Sequence, residues 1–196
     1  MSDIRILEQV ETDEKEIPPQ SSKWLTCLIE AIILLLAVAL ILMVRQSWLE
    51  PAEVTSGSME NTLKKGDRFL VDHRASLSGK WRRGDIVLIE TRNGGWGEDT
   101  VVKRIIGLPG ETVQILKGQV YIDGRALSEN YLKERPRPQN FEPLKLGAGE
   151  YYVLGDNRNR SGDSREFGPV TNDEIRGRAV RKIWPMGGFE KPDYVE

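Results

Sequence analysis

Between Trp24 and Val44 the chain reads WLTCLIEAIILLLAVALILMV, 21 residues interrupted only by Thr26 and Glu30. At a rise of about 1.5 Å per residue, a helix of this length is roughly 30 Å long, the thickness of a bilayer's hydrocarbon core. Trp24 and Trp48 bracket the run as interfacial rings do, and Lys23 and Arg45 sit where long side chains snorkel to water. The sequence therefore predicts one transmembrane helix over residues 23–46. A cleaved signal peptide is the competing reading. It would have a shorter apolar region behind a basic start, whereas residues 1–23 hold three basic and six acidic groups. Cys27 and Glu30 fall near one membrane end and read as a packing thiol and a carboxylate solvated at headgroup level. Lys15 and Lys23 before the helix against Arg45 after it are too few to fix its orientation.

The helix divides the chain. Residues 1–22, with Pro18-Pro19 and a run of acids, read as a disordered tail. Residues 47–196 form the working domain, long enough to bury a real core. The 196 residues include a single histidine, His73, and a single cysteine, Cys27. An internal disulfide is therefore impossible, and zinc fingers and His-based zinc hydrolases lack ligands, so no metal and no cofactor are expected. With 28 Lys and Arg against 30 Asp and Glu, no chain-wide basic field exists to hold nucleic acid.

Short runs rich in β-branched residues recur through the domain at 67–71, 85–90, 100–106, 112–116, 119–122, 150–154 and 177–184. Turn signals separate them at Lys65-Gly66-Asp67, Asn93-Gly94-Gly95, Leu108-Pro109-Gly110 and Asp123-Gly124. This spacing predicts a mainly β domain, a barrel or sandwich, with a tight hairpin at Asp123-Gly124. Residues 134–143 (ERPRPQNFEP), with three prolines, read as a long exposed loop.

With histidine nearly absent, hydrolytic chemistry needs another base, and a serine nucleophile served by a lysine amine is an established alternative. The amine must be neutral, so its reference pKa of about 10.4 has to fall by several units through desolvation. Lys103 lies in Val101-Val102-Lys103-Arg104-Ile105-Ile106, and on a strand Val101 and Ile105 share its face. The competing role is an edge-strand lysine that wards off aggregation. Lys182, in Ala179-Val180-Arg181-Lys182-Ile183-Trp184, has a similar setting and stays a rival. Ser56-Gly57-Ser58 offers a turn on which a nucleophile could be presented, although such turns are commonly only turns. Gly162-Asp163-Ser164 imitates the nucleophile loop of trypsin-like proteases, with His73 before it. The chain is short for a double barrel and lacks the glycine pair of that loop, and His73 reads as a solvated strand end.

Three blocks then form a family pattern. Ser56-Gly57-Ser58-Met59-Glu60-Asn61-Thr62-Leu63, Lys103 to Glu111 (KRIIGLPGE), and Gly155-Asp156-Asn157-Arg158 through Ser161-Gly162-Asp163-Ser164-Arg165 stand in order behind the apolar helix. In these blocks, over residues 24–186, the chain resembles the bacterial type I signal peptidases, membrane-anchored Ser/Lys proteases. One departure is Asn61, where the family usually has Pro or Ser. The resemblance implies a coiled antiparallel, barrel-like catalytic β domain behind a single N-terminal transmembrane helix. It implies a serine endopeptidase that cuts signal peptides from exported precursors after a small-x-small motif, with Ser58 as nucleophile and Lys103 as base. The Ser58 N–H and the Ser56 hydroxyl would hold the oxyanion, and Ser161 would orient the lysine. Gly155 would permit close approach beside it, and Asp163 with Arg165, together with Arg83, would fix the loop. Val54, Met59, Leu63, Val101 and Val102 would line shallow pockets for small side chains, their competing role being ordinary core. Trp184-Pro185-Met186 would rest on lipid or, equally, serve as core. The implied partners are precursor proteins, the lipid bilayer and the export machinery. The implied location is the plasma membrane, or a thylakoid membrane in a photosynthetic organism, with the tail cytoplasmic and the domain outside. Two alternatives stay open: a self-cleaving protease of the SOS-repressor type, which should have a DNA-binding domain in place of the helix, and a noncatalytic anchored β-module of a secretion complex.

Overall fold

The computed structural model describes residues 21–46, 48–90 and 100–188. The tail expected over residues 1–22 and the turn at 93–95 therefore lie largely or wholly outside the described residues. Two compact units divide the chain, residues 1–44 and 45–196. The first holds all but the last two residues of helix α1 (Ser21–Gln46). Its side chains from Lys23 to Met43 are exposed all the way round. A helix satisfies its own backbone hydrogen bonds, so an apolar surface on every side suits it to lipid. By length and composition it is able to cross a membrane.

The second unit carries strands β1 (Leu49–Glu53), β2 (Arg68–Asp72), β3 (Ile86–Glu90), β4 (Thr100–Gly107), β5 (Thr112–Leu116), β6 (Gln119–Ile122), β7 (Arg125–Ala126), β8 (Phe141–Lys145), β9 (Glu150–Leu154), β10 (Val170–Thr171), β11 (Ile175–Trp184) and β12 (Met186–Gly187). Short helices α2 (Arg74–Ser78) and α3 (Ser164–Phe167) interrupt them. The larger sheet runs β1-β2-β11-β3-β4-β9-β10 with β12 beside β11, and the smaller runs β7-β6-β5-β8. Every described strand pair is antiparallel. Neither sheet closes into a barrel: β1 and β10 are left as the ends of the larger one. Asp123 and Gly124 both take positive φ, 48° and 80°, and join β6 to β7 with Ile122 facing Arg125, the tight hairpin expected from that dipeptide.

β4 runs between β3 and β9, inside the larger sheet. Val101 and Ile105 pack with Val87, Ile89 and Val153 in one cluster, while Ile106 joins Val113, Leu146 and Leu154 in a second. A third cluster gathers Val54, Met59, Leu63, Phe69, Val71, Ile86 and Ala179. This interior position removes the edge-strand role for Lys103, whose residue is 3% exposed. The loop between β1 and β2 closes on itself through Val54 N–H to Asp67 O and Gly66 N–H to Val54 O, both 2.9 Å. Met59 and Leu63 anchor it from inside the third cluster, which fixes where Ser58 stands.

Candidate active site

The Lys103 amine, at the middle of β4, donates to Ser58 Oγ at 2.8 Å, and the Ser56 hydroxyl lies 3.3 Å from the same oxygen. Ser58 is 8% exposed. Lys182, the rival base, is taken up otherwise: its amine donates to Asp67 at 3.0 Å. His73 bridges Glu50 and the Arg176 carbonyl, each at 2.8 Å, remote in role from Ser58.

The segment after β9 clamps the serine loop. Asn157 donates from its backbone N–H to Ser58 O and from Nδ2 to Gly57 O, both at 3.0 Å. Asp156 accepts from Thr62 Oγ1 at 2.5 Å and holds both arms of Arg104, at 2.8 and 2.7 Å. Arg104 follows Lys103 directly, so this one carboxylate ties the serine loop to the lysine strand. Arg104 and Asp156 side chains are each 1% exposed, and Tyr131 stacks on the guanidinium at 4.1 Å. Sequence alone does not assign the Arg104–Asp156 pair. The residues sit inside recognised blocks, but the pairing joins positions 52 apart and has no local signature.

A methyl group at Gly155 would lie 2.2 Å from Ser161 Oγ and 2.6 Å from the Ser58 carbonyl oxygen. Only glycine fits between them. The buried Ser161 hydroxyl has no hydrogen-bond partner among the described residues, so no hydrogen bond joins it to Lys103 in this structure. Asp163 is fully buried, accepts from Gly155 N–H at 3.0 Å, and pairs with Arg165 at 2.7 and 2.9 Å. Arg165 also reaches the carbonyls of Arg158 and Ser161. Arg83 is elsewhere. It follows Trp81 into the turn before β3, and from there its guanidinium pairs with Glu111 at 2.6 Å and bonds the Ile106 carbonyl.

The five residues expected to line substrate pockets separate. Leu63 and Met59, at 0% and 1% exposure, offer no surface to a ligand, and Val54 is buried with them. Val102 packs against that cluster and is only partly buried, whereas Val101 belongs to the cluster of Ile105 and Val153. Neighbouring residues on a strand face opposite ways, so Val101 and Val102 cannot line one wall. Trp184 and Met186 are exposed, at 68% and 83%, which excludes a core role. No group of three or more metal-ligating side chains occurs among the described residues.

Electrostatics around the site follow from its ion pairs. The hydrogen bond from Lys133 holds the Glu60 carboxyl below its usual value. Burial pushes the Tyr152 hydroxyl up to about 12, and the Asp163 charge adds to the shift.

Within this open antiparallel β domain a buried amine thus meets a serine hydroxyl. Residues 25–184 match the family described as signal peptidase, peptidase S26. A signal peptidase I of Leptolyngbya laminosa is 41% identical over 157 residues, 77% of this chain and 76% of that one. The signal peptidase I of Bacillus licheniformis is 36% identical over 194 residues, covering 93% of this chain and 100% of the relative. A crystal structure of a signal peptidase I from Enterococcus faecalis aligns with a TM-score of 0.44 at 38% identity, over 52% of this chain and 97% of that one. The chain belongs to the signal peptidase family S26 and is a serine peptidase. That membership sets aside the noncatalytic β-module.

Proposed function

We propose that this protein is a membrane-anchored endopeptidase that cleaves N-terminal signal peptides from exported precursors after a small-x-small motif, using Ser58 and Lys103 through an acyl-enzyme. The observation that carries the reading is the 2.8 Å contact between an amine and a hydroxyl inside the sheet. Burial disfavours an ammonium ion, so Lys103 works as the neutral base. The same separation serves a Ser58 hydroxyl donating to that amine.

In the first half-reaction Lys103 takes the Ser58 proton as Oγ bonds to the scissile carbonyl carbon. The tetrahedral intermediate then collapses, the C–N bond breaks, and the ammonium returns the proton to the departing amine of the mature protein. In the second half-reaction Lys103 takes a proton from water, the hydroxide attacks the ester carbon, and Ser58 leaves with that proton. The Ser58 N–H and the Ser56 hydroxyl hold the oxyanion, each such donor being worth about 2.7 to 4 kcal/mol in related chemistry. Ser161, the serine that the family resemblance assigns to orienting the lysine, makes no bond to the amine in this structure, and its unengaged hydroxyl would have to turn to Lys103 to do so. Asp163 and Arg165 hold its loop. The small side chains before the cut fit shallow apolar pockets beside Ser58 and Lys103, and larger ones are rejected by overlap.

The substrate adds as an extended strand beside the site. Helix α1 anchors the protein in the plasma membrane or a thylakoid membrane, with the tail cytoplasmic and the domain outside, where the export machinery delivers precursors. Exposed Trp184 and Met186 meet lipid.

The test is to incubate the purified full chain in detergent with a signal-peptide-bearing precursor and sequence the product. The expected new N-terminus follows a small-x-small motif; an intact precursor, or cuts elsewhere, overturns the reading.

A further inference from the structure

A cleft of about 590 Å³ opens between the segment from Arg137 to Phe141 and the loop from Arg158 to Glu166. Four arginines line it, Arg137, Arg158, Arg160 and Arg165, against one carboxylate, Glu166. Two of the four are neutralised within the domain, Arg158 by Glu129 and Arg165 by Asp163. Arg137 and Arg160 are exposed, and neither forms an ion pair among the described residues. The other carboxylate within the field of Arg160, Glu60, is already held by Lys133. The cleft therefore presents two unspent positive charges.

Its inner wall includes Ser161. A methyl group at Gly155 would overlap both the Ser161 hydroxyl and the Ser58 carbonyl oxygen, so one residue that lines the cleft packs beside the nucleophile loop. A substrate chain leaving Ser58 advances about 3.3 Å per residue and reaches such a cleft within a few residues. The side before the cut carries small residues that an arginine-lined cleft does not match. The side after it is the mature protein's own N-terminus, which is free to be charged.

We infer that this cleft is a subsite for acidic side chains following the scissile bond, with Arg137 and Arg160 selecting them. The inference rests on the peptidase reading above. Exposed ion pairs are individually weak, so the two together give roughly a threefold to tenfold preference in kcat/KM.

The test uses peptides with a common small-x-small segment and Asp, Asn or Lys at successive positions after the cut. They are compared on the native full-length enzyme, on R137Q/R160Q and on R137E/R160E. The expected result is an Asp-over-Asn ratio of roughly threefold to tenfold at one of those positions. That ratio falls to about one in R137Q/R160Q, and R137E/R160E favours Lys; a merely structural role would not reverse the charge preference. Cleavage of the Asn peptide with no Asp advantage, or an advantage that persists in R137Q/R160Q, overturns the subsite and leaves the peptidase reading intact. No cleavage of any peptide overturns both. An unmoved ratio combined with lost binding of R137Q/R160Q to phosphatidylglycerol vesicles assigns the cleft to lipid headgroups and also overturns the inference.

Discussion

Lys103 and Ser58 stand 45 positions apart in the chain, and the lysine amine meets the serine hydroxyl at 2.8 Å. Two independent anchors set that distance. The lysine is fixed by its strand, paired on both sides with β3 and β9. The serine is fixed by a loop rooted in the core at Met59 and Leu63 and held by Asn157 through two carbonyls. Rigid positioning of this kind matters because small displacements of reacting groups cost large factors in rate.

Gly155→Ala should disable the enzyme while leaving both the Ser58 hydroxyl and the Lys103 amine in the chain. The new methyl would meet Ser161 Oγ, Ser161 Cβ and the Ser58 carbonyl at 2.2 to 2.6 Å, and one of those neighbours is backbone. Steady-state assays should show kcat/KM reduced by about a hundredfold or more. Unchanged activity would mean that the serine loop has room to yield there.

Asp156→Asn should be far more damaging than Asp72→Asn. Asp156 and Arg104 are both 1% exposed, and leaving the guanidinium without its full countercharge should cost about 3–5 kcal/mol in urea unfolding. Asp72 pairs with Arg74, whose side chain is 57% exposed and stays hydrated without its partner, so this loss should be clearly smaller. The hydrogen bond from Arg74 lowers the Asp72 pKa, so that contribution is present above the unfolded carboxyl value and fades as pH falls through the folded one. Equal losses for the two variants would contradict the assigned burial.

Much of the fold is legible in the sequence, and the failures have a physical pattern. Strands β5 and β6 occupy the expected residues because their buried positions alternate between turn signals, and β9 does because it is an unbroken apolar run behind a glycine turn. Strands β1 and β8 escape notice because Pro51 and Pro143 lie inside them. Both strands are at sheet ends, where a missing N–H breaks no ladder. At the site, Ser58 and Lys103 are readable from motif and context. The roles of Asn157, Asp156 and Arg104 are not, since they depend on contacts between blocks far apart in the chain. Arg83 shows the converse: its charge is plain, but its partner Glu111 is set by where the turn before β3 delivers it.

Alkaline unfolding should report on Tyr152. Its pKa of about 12 exceeds the unfolded value near 10, so the stability it contributes is complete below pH 10 and is lost as pH rises toward 12. A shift of about two units corresponds to roughly 2–3 kcal/mol. Tyr152→Phe should flatten that limb of the stability curve between pH 10 and 12, and an unchanged limb would place the titration elsewhere.

The rate itself should rise with pH along a limb set by a neutral amine, because only the deprotonated lysine accepts the Ser58 proton. A kcat/KM profile that is flat through the alkaline range would oppose a lysine base.

The most direct test of the Ser/Lys assignment is precursor cleavage by Ser58→Ala, Lys103→Ala and Lys182→Ala side by side in detergent, with thermal melts confirming that each folds. Ser58→Ala and Lys103→Ala should lose cleavage, and Lys182→Ala, which loses its contact with Asp67, should keep it. Cleavage surviving in folded Lys103→Ala, or vanishing in folded Lys182→Ala alone, would contradict the Ser/Lys assignment.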